Sequence, residues 1–435
     1  MAPVFTSCEV LLAMTNEIRS DWKRRFFTIW TGQALSLAGS ALVQFALVWW
    51  LTVQTGSASV LARATLVALL PQIVLGPFVG ALVDRWNRRV ILIVADTAIA
   101  LLTVLLAMLF ATGRVAVWHI YAVMFLRSLG GAFHSPAMAS STALMVPDEH
   151  LARVAGMNQT MQGAVNILAP PLGAMLLEMV PTQSVLAIDV VTALIAVLPL
   201  LVIAIPQPAR RATSTAGPSS YWGDLREGLR YVVRWPGLLG VILLAMMLNF
   251  WLSPSSSLTP LVVTRVFGKG AVELGWTRAA HGVGIIIGGL VLSVWGASRR
   301  RMVTSFCGIV GIGLGVIVFG VAPATQFWLL LAASFLLGLA SVIANGPLFA
   351  IFQSAVAPQV QGRVFSLIGA GSAAMMPLSL LIAGPLADRV GVRFWYILGG
   401  TITIAVTLAA SRIPAIMNIE QNRAASADLT GLRDL

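Results

Sequence analysis

The chain has 435 residues, of which 58% are hydrophobic and 10% charged, with a formal net charge of +12. So few charges, against about 25% in soluble domains, exclude an ordinary water-soluble globule. The basic residues fall at loop positions without a face interleaved with aromatics, so the excess positive charge reflects membrane topology and not a nucleic-acid partner.

Repeated apolar runs of about 20 residues, separated by short polar turns, predict an all-α polytopic membrane protein, because lipid satisfies no bare backbone group. Twelve spans are expected: Phe26 to Gln54, Leu61 to Val83, Val90 to Thr112, Val117 to Val146, Val154 to Met179, Ser184 to Ile205, Leu238 to Val263, Ala271 to Ala297, Met302 to Val321, Phe327 to Ile351, Val364 to Ala387 and Phe394 to Ile413. The plan is an N-terminal tail at 1–25, a six-helix bundle at 26–205, a linker at 206–236, a second bundle at 237–413 and a C-terminal tail at 414–435. The N-terminus lacks the basic region and cleavage pattern of a signal peptide, and Met14, followed by a basic polar segment, is a candidate translation start. Cys8 and Cys307 form neither a disulfide framework nor a CxxC site.

Lys and Arg divide unevenly between alternate sides. Of the 28, 20 fall on the side of the termini, 7 on the other (Arg63, Arg114, Arg265, Lys269, Arg278, Arg389 and Arg393), counting those near a span's end with the adjoining turn, and Arg127 alone deep within a span. That split places both termini in the cytoplasm. An internal repeat supports the two-bundle plan. At an offset of 210, Arg153-Val154 aligns with Arg363-Val364 and Glu178 with Asp388; at 212, Gly76, Arg88 and Arg89 align with Gly288, Arg300 and Arg301, while Asp84 meets Gly296.

The turn between the second and third spans is a charged elbow, Gly80-x-x-x-Asp84-Arg85-x-x-Arg88-Arg89. It resembles the loop between helices two and three of the major facilitator superfamily, with Asn87 where that family usually has glycine. The resemblance implies two six-helix bundles that bind substrate between them near the bilayer midplane. It also implies a gating role for Gly80, Asp84, Arg85, Arg88 and Arg89, holding the cytoplasmic ends of the bundles together.

Arg127 lies deep in the fourth span, where an unpaired guanidinium is costly, and Arg127-x-x-Gly130-Gly131 resembles the fourth-helix motif of drug and proton antiporters. His134 falls two helical turns on, on the same face. Arg127 either faces the transport cavity or cross-links to an acid, and His134 either lines the cavity or packs. Asp96 and Asp189 are the acidic residues within spans. A carboxyl pulled one way by burial and the other by a nearby arginine can load and release a proton, which makes Asp189, Arg127 and Asp96 the candidates for proton coupling. Each also has a structural alternative: Asp189 a bond to a neighbouring helix, Asp96 a pairing with the elbow arginines. Pro170, Pro171 and Gly173 resemble a worn antiporter motif, a kink that frees backbone carbonyls.

Polar residues in otherwise apolar spans are candidates to line a substrate cavity: Gln33, Gln44, Gln159, Gln162, Asn166, Asn249, His281 and Asn345, with His134. Gln159, Gln162 and Asn166 share one helical face, which either lines water or binds a neighbouring helix. The run from Arg127 to Ala187 resembles the macrolide-efflux branch of the superfamily, which also includes siderophore exporters. That implies a proton-coupled exporter of amphipathic small molecules in the cell membrane, working as a monomer with protons and lipid as its other partners. A siderophore or metabolite exporter, or an importer or uniporter on the same fold, are the alternatives. With no nucleotide loop, HExxH or His/Cys cluster, neither an enzyme nor a cofactor is expected.

Overall fold

The structure is a computed structural model that describes residues 22–205, 207, 229–295, 300–356 and 358–419. Met14, Cys8 and most of the linker and tails lie outside the described residues, and Gly80, Asp84, Arg85 and Arg363 are described by their backbone alone. Twelve long helices occur among the described residues, with no strand. They are α1 (Trp22–Thr55), α2 (Ala58–Arg85), α3 (Arg88–Ala111), α4 (Val117–Met145), α5 (Asp148–Met179), α6 (Thr182–Val202), α7 (Pro236–Leu261), α8 (Ala271–Trp295), α9 (Arg301–Val321), α10 (Phe327–Ala355), α11 (Pro358–Val390) and α12 (Val392–Ala410).

Helix and apolar run do not end together. α5 starts at Asp148 and α11 at Pro358, each six residues before the apolar stretch at Val154 and Val364. Hydropathy marks the lipid boundary, whereas a helix continues while its polar turns are favourable; Asp148 and Glu149 in the first turn of α5 suit the positive end of its dipole. Ten of the helices are long and apolar enough to cross a membrane on their own composition. The other two, α4 and α5, dilute their apolar surface with Arg127, His134 and the Gln159, Gln162, Asn166 face. Large side chains point outward all round, Val202 at 85% exposure and Val294 at 79% among them, a surface that lipid accepts and water does not.

The chain divides into two compact units, Met1–Leu47 with Val67–Ala212 and Val48–Leu66 with Thr213–Leu435. In the first, α3 packs against α4 and α6, around Phe26, Ile29, Val83, Leu92 and Leu200. In the second, α9 packs against α10 and α12, α8 against α10, and α7 against α11, with Leu238, Val241, Met302, Ile351 and Val364 in the core. The same pairs recur six helices later, so the repeat seen in sequence is also one of packing. The α1–α2 turn joins the second unit through Asp388 of α11, whose carboxylate accepts from Ser57 Oγ (2.8 Å), Ala58 N (2.7 Å) and Ser59 N (2.9 Å) and so caps α2. At the other end of α3, Gly113 (φ 67°) adopts the left-handed conformation that closes a helix, its N–H bonding Phe110 O at 3.1 Å.

Candidate functional site

Three helices of the first unit carry polar residues at one common spacing of seven: Gln33 and Ser40 on α1, Asp96 and Thr103 on α3, Arg127 and His134 on α4. Seven residues are two turns, about 10 Å of rise, so the three pairs form two polar layers. The upper and lower layer each draw one residue from every helix.

In one layer Gln33 Nε2 donates to Asp96 Oδ2 (2.8 Å), while His134 Nε2 lies 2.8 Å from Gln33 Oε1 and 3.3 Å from Asp96 Oδ1. Both neighbours of that nitrogen are acceptors, so it carries the proton. In the other layer Asp189, reaching in from α6 and fully buried, pairs with Arg127 at 2.6 Å from Nη1 to Oδ2. Ser40 Oγ donates to Asp189 Oδ1 (3.0 Å) and accepts from Arg127 Nη2 (3.1 Å). Thr103 Oγ1 accepts from Arg127 Nη1 and sits 3.0 Å from Asp189 Oδ2 and 2.9 Å from Ile99 O, so its single proton serves one of the two. Gly39 makes this possible: a Cβ there would collide with Thr192 Oγ1 and stand 3.1 Å from Cα of Asp189, so only glycine brings α1 this close to α6. A cavity of about 400 Å³ opens onto both layers, lined by Gln33, Ser40, Gln44, Asp96, Arg127 and His134.

Asp96 is therefore engaged by Gln33 and His134, and Arg89 of the elbow turns elsewhere. Its guanidinium donates to Leu200 O (2.5 Å) and Leu201 O (2.6 Å), the free carbonyls at the end of α6, and thus ties α3 to α6 within its own unit. Arg88 is buried, with its N–H 3.3 Å from Gln207 Oε1. Asn87 stands just before α3 and caps it, its Oδ1 accepting from Arg89 N (3.0 Å) and Val90 N (3.4 Å). Pro170, Pro171 and Gly173 lie inside α5, where a Cβ on Gly173 would come within 3.0 Å of Phe45 on α1.

Of the other polar candidates, Gln159, Gln162 and Asn166 share an exposed face of α5 and do not line this cavity. Asn249 and Asn345 line a cavity of about 190 Å³ in the second unit, each bonding a carbonyl one turn back. His281 lines a different one there, of about 180 Å³. Arg278, counted in the sequence with the basic residues of the outer turns, corrects that assignment: it is the eighth residue of α8 and lines the same cavity as His281. Ser40 and Thr103 were missed by sequence reasoning because a hydroxyl in a helix is unremarkable alone; the shared spacing of seven with Gln33 and Asp96 was the available signal.

The profile of the Major Facilitator Superfamily matches residues 29–379. The chain is 34% identical over 401 residues to macrolide efflux protein A of Streptococcus pyogenes, covering 92% of this chain and 98% of that one. It is 27% identical to multidrug efflux pump Tap of Mycobacterium bovis, over 85% of this chain and 89% of the other. A crystal structure of a variant of the nucleoside transporter NupG superposes with a TM-score of 0.68 at 13% identity, covering 89% and 98% of the two chains, a likeness of fold alone.

Proposed function

Because the chain belongs to the major facilitator superfamily it is a multi-pass membrane transporter, and we propose that it exports amphipathic molecules of the macrolide class in exchange for protons. The similarity to macrolide efflux protein A over nearly the whole of both chains supports the direction and the substrate class. The excess of Lys and Arg on the side of the termini supports a cytoplasmic location for both.

The observation that carries proton exchange is the buried Arg127–Asp189 pair. While Asp189 is ionised, its oxygens tie α6 to Ser40 of α1, Thr103 of α3 and Arg127 of α4. A proton on Asp189 cancels the charge that neutralises Arg127 and turns one acceptor oxygen into a donor. Four helices then lose their common tie, and the first unit can repack. Asp96 and His134, two turns away along the same cavity, form a second site where a proton can reside. Two exchangeable arrangements of one bundle are what alternating access needs.

The test is erythromycin flux in sealed vesicles holding the purified protein. Wild type is expected to accumulate erythromycin on the acid side of an imposed pH gradient, and Asp189→Asn to lose at least about tenfold of that flux while still exchanging erythromycin for erythromycin without a gradient. Wild-type flux indifferent to the gradient overturns the proton-exchange reading.

A further inference from the structure

The second unit holds a guanidinium, Arg278, whose charge no carboxylate among the described residues balances. Arg278 lies two turns into α8 and donates from Nη2 to Ser256 O at 2.8 Å; among the described residues no carboxylate lies within ion-pair distance of it. A guanidinium has five N–H donors, and one carbonyl neither uses them nor neutralises the charge. The cation faces a cavity of about 180 Å³ lined by α7, α8, α9, α10 and α12. Its other polar lining includes the His281 imidazole and the hydroxyls of Ser255, Thr259, Thr277 and Tyr396. Ser255 is 7% exposed and its Oγ has no hydrogen-bond partner, while the Tyr396 hydroxyl donates to Ser255 O at 2.5 Å, fixing the ring against the cavity wall. Leu252, Ile312, Val316, Phe319 and Leu337 supply its apolar wall.

A cation with no carboxylate partner among the described residues, an unused hydroxyl lining the same cavity and an apolar wall describe a receptor for a group that is negative at one end and greasy at the other. We propose that this cavity is an anion subsite that takes the carboxylate of an amphipathic organic acid, with Arg278 as its anchor and Ser255 as a second donor. Planar bidentate pairing with a carboxylate is what a guanidinium fork does best. The volume admits the acid end of a ligand, where a water needs only about 10–15 Å³. The site is independent of the proton-exchange reading, since it lies wholly in the second unit and uses none of the residues around Asp189.

The probe is 2-naphthoate, titrated calorimetrically against the purified full-length protein beside its neutral analogue 2-naphthamide and beside chloride. Wild type is expected to bind naphthoate at least about tenfold more tightly than naphthamide. Arg278→Gln is expected to erase that preference, Arg278→Lys to keep part of it, Ser255→Ala to weaken naphthoate alone by about threefold, and Asp189→Asn to leave it intact. Equal binding of acid and amide, or an unchanged preference in Arg278→Gln, overturns the proposal. Competition by chloride as strong as that of naphthoate overturns the organic-acid assignment. Ser255→Ala and Arg278→Lys keep the test open should Arg278→Gln fail to fold.

Discussion

The α3–α4 seam of the first unit and the α9–α10 seam of the second occupy equivalent places six helices apart and are held together by opposite means. Applying the repeat offsets of 212 on the third helix and 210 on the fourth, the Asp96–His134 contact corresponds to Gly308 and Ala344, and Thr103–Arg127 to Gly315 and Leu337. Those positions touch in the second unit as well: a Cβ on Gly308 would come within 2.8 Å of Cα of Ala344, and one on Gly315 within 2.9 Å of Leu337. The positions that meet are the same in the two units, and the residues at them differ. Charged, hydrogen-bonded partners join the helices in one seam, and in the other glycine lets backbone lie directly on its neighbour. The first can be loosened by a proton. The second, at these positions, offers nothing to titrate.

The largest test of that contrast lies in the two arginines. Arg127→Leu strips the cation from fully buried Asp189 and is expected to cost about 3–5 kcal/mol, because breaking a buried pair strands its partner. The double variant Arg127→Leu with Asp189→Leu is expected to recover most of the loss, since both charges go together. Arg278→Leu, by contrast, removes a charge that pairs with no carboxylate among the described residues, and should leave stability within about 0.5 kcal/mol of wild type or raise it. Unfolding temperatures of the four purified proteins decide the matter. An equal drop for Arg127→Leu and Arg278→Leu would erase the distinction between a paired and an unpaired centre.

Gly308 offers a smaller effect on the opposite side. Gly308→Ala forces α9 from α10 at Ala344 and is expected to destabilise by about 1–3 kcal/mol, the usual cost of overpacking. It adds no charge, so gradient-driven flux per folded molecule should keep its pH dependence. A shifted pH profile in Gly308→Ala would show the second seam to be coupled to proton movement after all.

How much of this arrangement the sequence discloses depends on whether a residue is conspicuous in lipid. Arg127, Asp96 and Asp189 stand out because charge is rare in an apolar span, and the His134 spacing to Arg127 already puts both on one face. Gln33 is visible for the same reason. Ser40 and Thr103 are not, since serine and threonine sit in membrane helices bonding their own carbonyls, as Thr103 also does to Ile99. Gly39, which admits α6, reads as one of 39 glycines until its neighbour is known. Arg278 is hidden by company: Arg265, Lys269 and Glu273 precede it closely, so it is counted with the basic residues of the outer side although the eighth span begins at Ala271, and only the rotation of α8 shows it facing a cavity. Pattern reveals which residues are costly in lipid. It does not reveal which neighbour relieves the cost.

The least effect is expected at the elbow, where the two units again differ. Asn87 caps α3 with its side chain, whereas Arg300, in the same cap position before α9, makes no side-chain cap. Glycine at a cap position costs only a few tenths of a kcal/mol relative to asparagine, and alanine about 1 kcal/mol. Asn87→Gly should therefore be almost silent in unfolding and in flux, and Asn87→Ala should lower the unfolding temperature measurably. Arg300→Asn, which supplies the missing cap, should raise it by a comparable amount. If Asn87→Gly instead costs as much as Asn87→Ala, then Asn87 does more than cap a helix, and its carboxamide must hold the elbow to a partner that the bonds to Arg89 and Val90 do not account for.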